Sequence, residues 1–270
     1  MDPKRDKPEK RQIREQPGAA PRVAFVTGAG SGIGRATALR LARNGTAVAA
    51  FDRDGKAAEA VAQEIEDGGG RALAQTGDVT RSDDLESAVA QTVSELGGLD
   101  AAAACAGFVV IGTVETTSAA DWDRAIAVNL TGVMLTARQA IPAMVASGGG
   151  GFVAIASDVG VRGAENSLAY SASKHGVVGL IRCLALDHAA EGVRSNVVCP
   201  SLVRTPMAER VFELIGAEAQ EASRQRMPFG RFAVAEEVAA VVHHLLSSDS
   251  SYTNGMVYMV DAGRSAGIGA

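Results

Sequence analysis

Seven short apolar runs, separated by stretches of helical period, limit what this chain can fold into. They are Val23–Val26, Ala47–Phe51, Arg71–Gln75, Ala101–Ala104, Phe152–Ala156, Ser195–Cys199 and Val257–Val260. Strands that alternate with helices form a parallel sheet covered on both faces, and right-handed crossovers wind the helices around it. The expectation is an α/β fold, a doubly wound parallel sheet of about seven strands in a single domain, with ligands at the carboxyl ends of the strands. The chain's 270 residues are 47% hydrophobic and only 4% aromatic, which suits one core of small aliphatic side chains.

Between the first strand and the helix that follows it lies "TGAGSGIG", Thr27 to Gly34, with glycines at 28, 30, 32 and 34. Glycine tolerates positive φ and lets a ligand approach the main chain, and the next helix offers unpaired N–H groups and a positive dipole end. A phosphate-bearing nucleotide is the expected guest; a flexible turn is the plainer alternative. The P-loop pattern is excluded because Gly34-Arg35-Ala36 replaces Gly-Lys-Ser/Thr. The G-x-G-x-x-G pattern fails because Ile33 and Arg35 fall where its third glycine belongs.

A nucleotide held there calls for an acid at the end of the second strand, and "AVAAFDRD" supplies Asp52. A carboxylate accepts from both ribose hydroxyls and repels a 2′-phosphate, which favours NAD over NADP. Asp52 could instead merely open a turn, and the neighbouring Arg53 could receive the extra phosphate. In "GDVT" Asp78 and Val79 could read an adenine edge or simply cap the helix beginning near Ser82.

In "YSASKHGVVGL", Tyr170 and Lys174 are four apart and so share one helix face. An ammonium near a phenol lowers the phenol's pKa from about 10, making Tyr170 a candidate acid/base. Ser157, at the end of the fifth strand, could hold a substrate oxygen beside it. An ordinary surface Tyr-Lys pair is the alternative for the spacing taken alone.

With these residues together, the sequence resembles the short-chain dehydrogenase/reductase family of the compact type, over residues 23 to 263, and this implies a Rossmann-like fold. The family's T-G-x-x-x-G-x-G is matched by Thr27, Gly28, Gly32 and Gly34, and its Y-x-x-x-K by Tyr170 and Lys174. Its serine, thirteen residues before the tyrosine, is matched by Ser157, and its helical asparagine, which holds a water relaying protons to the lysine, by Asn129. The resemblance implies cofactor contacts from Gly28, Ser31, Gly32, Ile33 and Gly34, from Asp52 and Arg53, and from Asp78 and Val79. It adds Ala106, Gly107, Tyr170, Lys174, Pro200, Val203 and Thr205. Two positions depart: Cys105 stands in "ACAG" where the family has N-A-G, and Pro200-Ser201 replaces P-G.

The activity so implied is NAD(H)-dependent interconversion of a secondary alcohol and a ketone. The rivals are an NADP-linked 3-oxoacyl-thioester reductase of the same family and a dinucleotide-sensing protein without turnover. The resemblance also implies a homotetramer on the helices carrying Asn129 and Tyr170, with "VVGLIRCLAL" offering an apolar face, and a substrate lid near residues 201–230. Residues 1–22, rich in charge and proline, read as a disordered tail, and residues 23–270 as the catalytic domain. A net charge of −5 argues against nucleic acid, and no apolar run approaches the roughly 20 residues of a membrane span. Cys105, Cys183 and Cys199 form no C-x-x-C pair, and with His243-His244 show no zinc spacing. No metal is expected, and the location expected is the cytoplasm.

Overall fold

The computed structural model describes residues 18–267. The strands are β1 (Val23–Thr27), β2 (Ala47–Asp52), β3 (Ala72–Thr76), β4 (Ala101–Ala104), β5 (Gly150–Ile155), β6 (Val193–Pro200), β7 (Val203–Arg204), β8 (Ala233–Val234) and β9 (Val257–Val260). The helices are α1 (Gly32–Arg43), α2 (Gly55–Asp67), α3 (Ser82–Leu96), α4 (Ala119–Ile126), α5 (Gly132–Ala146), α6 (Leu168–Asp187), α7 (Pro206–Gln225) and α8 (Ala235–Leu246). A π-helical turn, Ala127–Thr131, joins α4 to α5.

Seven strands form one sheet in the order β3-β2-β1-β4-β5-β6-β9, every pair parallel. The winding reverses between β1 and β4, and the crevice beyond their carboxyl ends is where such sheets bind ligands. Side-chain alternation along the strands feeds two cores. Phe25, Ala102, Phe152 and Val197 pack under α3, α5 and α6 through Leu85, Ile141 and Ile181. On the other face Val26, Ala103, Val153 and Val198 meet α1, α2 and α8 through Leu41, Val61 and Val242. The all-alanine β4 is completely buried, and its small side chains let helices approach closely at the switch point.

All seven strands read from the sequence are present, with ends shifted by a few residues. β7 and β8 form a separate parallel pair at the base of the α7 excursion, too short to leave a periodic signal. Residues 18–22, read as the end of the tail, lie against the domain instead. Ala19 exchanges hydrogen bonds with Ser248, Pro21 O accepts from Thr46 Oγ1 at 2.8 Å, and Arg22 pairs with the buried Asp100 at 3.2 Å. The rest of the expected tail, residues 1–17, lies outside the described residues, as do 268–270. In α6, Val177, Val178, Ile181 and Ala185 of the apolar run are spent on the core, which leaves Leu186 exposed and Leu180 and Leu184 half-buried. Among the described residues no helix is long and apolar enough to cross a membrane.

Candidate active site

Each glycine of the first turn answers to a particular neighbour. Gly28 has φ +65°, and a Cβ on it would stand 2.8 Å from the Ala106 backbone, so β1 and the segment after β4 touch main chain to main chain. A Cβ on Gly34 would stand 2.0 Å from the Gly28 carbonyl oxygen, which folds the turn onto the first turn of α1. At Gly30 the obstruction would be Ala57 and the Asp52 carboxylate, and at Gly32 it would be Thr205. Ser31 is the N-cap of α1 but its side chain caps nothing, so the leading amides, through Ile33 and Gly34, keep their orphan donors. A bare backbone cradle, an uncapped helix start and a carboxylate beside them fit a dinucleotide.

Asp52 ends β2 with its carboxylate turned onto the glycines: Oδ2 accepts from Gly30 N at 2.9 Å and Oδ1 from Asp54 N at 3.0 Å. Arg53 is exposed beside it. Asp78 does not cap α3, whose N-cap is Arg81. Its Oδ1 accepts from both the N–H and the hydroxyl of Thr80 at 2.8 Å, and the Thr80 amide bond, chiefly, holds its carboxyl below the usual range. Val79 is buried behind it. Pro200 ends β6 and Val203 lies buried in β7. Thr205 caps α7, accepting from Ala208 N at 3.2 Å, and its methyl lies over Gly32. Its hydroxyl, in a residue the resemblance gives as a cofactor contact, is engaged in this cap.

Asn129 sits fully buried in the π turn. Its amide oxygen accepts from Phe108 N at 2.7 Å, and its nitrogen donates to Phe108 O at 2.7 Å and to Ser173 Oγ at 3.0 Å. Ser173 in turn donates to Tyr170 O at 2.7 Å. The side chain therefore ties the segment after β4 to α6. An ideal Cβ on Gly107 would lie within 3.8 Å of Asn129 Oδ1, Lys174 Nζ and Met207 Cε, so these elements converge on one spot.

Ser157 lies just past β5, buried, with its hydroxyl beside that of Tyr170. Lys174 Nζ stands 5.7 Å from the Tyr170 ring centre and donates to Ile155 O at 2.8 Å. The expected lowering of the phenol by the lysine is not found. Tyr170 as a whole residue is half-buried, but its hydroxyl end is enclosed, and that burial pushes the phenol up to about 12 against the pull of the Ser157 hydroxyl. Burial also brings Lys174 down to about 8, so it remains mostly charged at neutral pH. Both groups are thus biased toward their neutral forms.

Three residues that sequence reasoning passed over adjoin this set. Cys199 is buried at the end of β6 against the Ser157 backbone, its thiol pushed up by burial to about 11. Met207, two residues beyond Thr205, lies over Gly107. Asp158 directly follows Ser157, and an acid next to a serine at the sheet edge was a readable signal. Cys105 is half-buried, with its thiol pushed to about 12 by burial, the wrong direction for a nucleophile. Cys105→Ala is expected to keep turnover within a few-fold and to lower stability by about 1 kcal/mol. Initial rates beside a thermal melt check this; a folded variant without activity would give the thiol a chemical role.

A family model described as enoyl-(acyl carrier protein) reductase matches residues 28–265. A cyclohexanol dehydrogenase of Acinetobacter sp. (strain SE19) is 40% identical over 242 residues, covering 89% of this chain and 93% of its own. The crystal structure of a levodione reductase superposes with a TM-score of 0.89 at 35% identity, over 92% of this chain and 98% of that one. A protein from Beutenbergia cavernae described as an NAD(P)-dependent gluconate 5-dehydrogenase, solved with NADP bound at low occupancy, gives a TM-score of 0.84 at 37% identity, over 91% and 97%. A glycine turn packed on Ala106, a Ser157–Tyr170 contact with Lys174 one helical turn away, and likeness along nine-tenths of its length all place this chain among the oxidoreductases of the short-chain dehydrogenase/reductase family.

Proposed function

We propose that the chain interconverts a secondary alcohol and a ketone with NAD(H). The observation that carries the reading is the convergence of Ser157, Tyr170 and Lys174 at the carboxyl ends of the strands, beside the glycine turn. NAD, when bound, supplies the hydride acceptor. Ser157 holds the substrate oxygen. Tyr170, neutral in its enclosed position, gives its proton to a ketone or receives one from an alcohol. The Lys174 ammonium stabilises the phenolate that alcohol oxidation requires, and Asn129 keeps the π turn against Phe108 and Ser173 so that a water can pass protons to Lys174. The segment 201–230, with α7 broken at Gly216 (φ 82°, ψ 165°) and anchored by the Phe212–Phe232 stack, covers the substrate. A homotetramer on α5 and α6, working in the cytoplasm, belongs to the same reading.

The choice of NAD rests on the Asp52 carboxylate, 2.9 Å from Gly30 N, where a 2′-phosphate would meet like charge. NAD is expected to be used at least tenfold more efficiently than NADP, equivalent to ~1.4 kcal/mol. Asp52→Asn removes the charge while leaving an oxygen for Gly30, and should narrow that gap. Initial rates across a panel of cyclic and open-chain secondary alcohols test both statements. Equal or better efficiency with NADP in the wild type would overturn the assignment. It would also favour a second reading, an NADP-linked reductase of 3-oxoacyl thioesters, since a 3-oxoacyl-[acyl-carrier-protein] reductase of Thermotoga maritima is 35% identical over 242 residues.

A further inference from the structure

Ser157 has one proton and two lone pairs, and the structure shows where much of that capacity goes. Its hydroxyl donates to Asp158 Oδ1 at 3.2 Å and accepts from Val159 N at 3.4 Å. Asp158 is only 4% exposed. Its other oxygen, Oδ2, is gripped by Arg162 and stands 3.5 Å from Arg264 Nη1, an arginine brought in from beyond β9. Neither arginine is more than a third exposed, so the carboxylate is held from behind and cannot swing away from the serine.

We propose that Asp158 is a positioning residue that makes this site hold the alcohol more tightly than the ketone, by taking the Ser157 proton for itself. The proposal rests on the reading of Ser157 and Tyr170 given above. A carboxylate is a stronger acceptor than a ketone oxygen, so the ketone does not displace it. A ketone can only accept, and with the serine proton engaged its remaining donor in the set is the Tyr170 hydroxyl. An alcohol brings a proton of its own and, with the Tyr170 hydroxyl turned to the substrate oxygen, can donate to the Ser157 lone pair that Val159 N leaves free. The two substrates therefore differ by about one hydrogen bond in the bound state, in the direction of alcohol retention.

The test is the ratio KM(ketone)/KM(alcohol), measured with cyclohexanone and cyclohexanol at saturating cofactor. In Asp158→Asn, the arginine donors hold the amide oxygen toward themselves and turn its NH2 toward Ser157, which frees the serine proton for substrate. The ratio is expected to fall about fivefold. Asp158→Ala removes the acceptor outright and should lower the ratio similarly. Arg264→Gln leaves the Ser157–Asp158 bond in place and should hold the ratio within about twofold. A merely structural role for Asp158 would move kcat or both KM values together and leave the ratio unchanged. An unaltered ratio in a folded, active Asp158→Asn protein, or an equal shift in Arg264→Gln, overturns the proposal. Absence of wild-type turnover with either cofactor on any secondary alcohol overturns the dehydrogenase reading, and this proposal with it.

Discussion

Tyr170→Phe is expected to lose about two to four orders of magnitude in turnover while keeping its melting temperature and its affinity for the dinucleotide. Only the hydroxyl is removed, and the ring retains its place on α6. The Ser173 bond to Tyr170 O is a main-chain contact, untouched by the change. Ser157 keeps its bonds to Asp158 and Val159. Steady-state kinetics with a cofactor titration separate the two effects. Near-normal turnover in the variant would refute a proton transfer through this phenol. The enclosed position that raises the phenol to about 12 also fixes the sign of any pH effect: Tyr170 of the free enzyme stays protonated through neutral pH and begins to lose its proton only in strong alkali.

The spacing of Tyr170 and Lys174 set them on one helix face, and they are there. What the spacing could not carry was the chain folded around them from other elements, whose burial of the phenol raises its pKa. Strands were legible because the five central apolar runs are buried on two faces and the edge runs β3 and β9 are half-buried, and the glycine turn because its constraint is local to a few residues. Asp158 and Arg264 meet only because β9 lies beside β6, a pairing that neither local sequence announces. The same holds for residues 18–22, whose small and charged side chains read as tail, although Arg22 and Pro21 find polar partners on the domain's edge. Asn129 was placed by resemblance, yet its three side-chain bonds give it a bracing task that no motif states.

Gly34→Ala should do more damage than any other single methyl added to the glycine turn, because its Cβ would fall 2.0 Å from the Gly28 carbonyl oxygen, against 2.7 Å or more at Gly28, Gly30 and Gly32. Nothing there can yield cheaply. The obstruction is backbone rather than the end of a flexible side chain, and Gly28 is itself wedged against the Ala106 main chain. Overpacking of this kind costs about 3 kcal/mol, which in a domain of this size lowers Tm by roughly 6–12 °C. Relief by displacing α1 would pull its uncapped amides away from the cradle, so dinucleotide affinity should fall with stability. Gly163→Ala supplies the contrast, since that exposed glycine between β5 and α6 has no positive φ and nothing within 4 Å of the added carbon. It is expected to leave stability within about 0.5 kcal/mol. Differential scanning calorimetry and cofactor fluorescence titration read both variants. A Gly34→Ala protein with wild-type Tm and affinity would mean that the turn does not close onto the helix as described, and the argument for a phosphate seat at this strand-to-helix junction would lose its geometric basis.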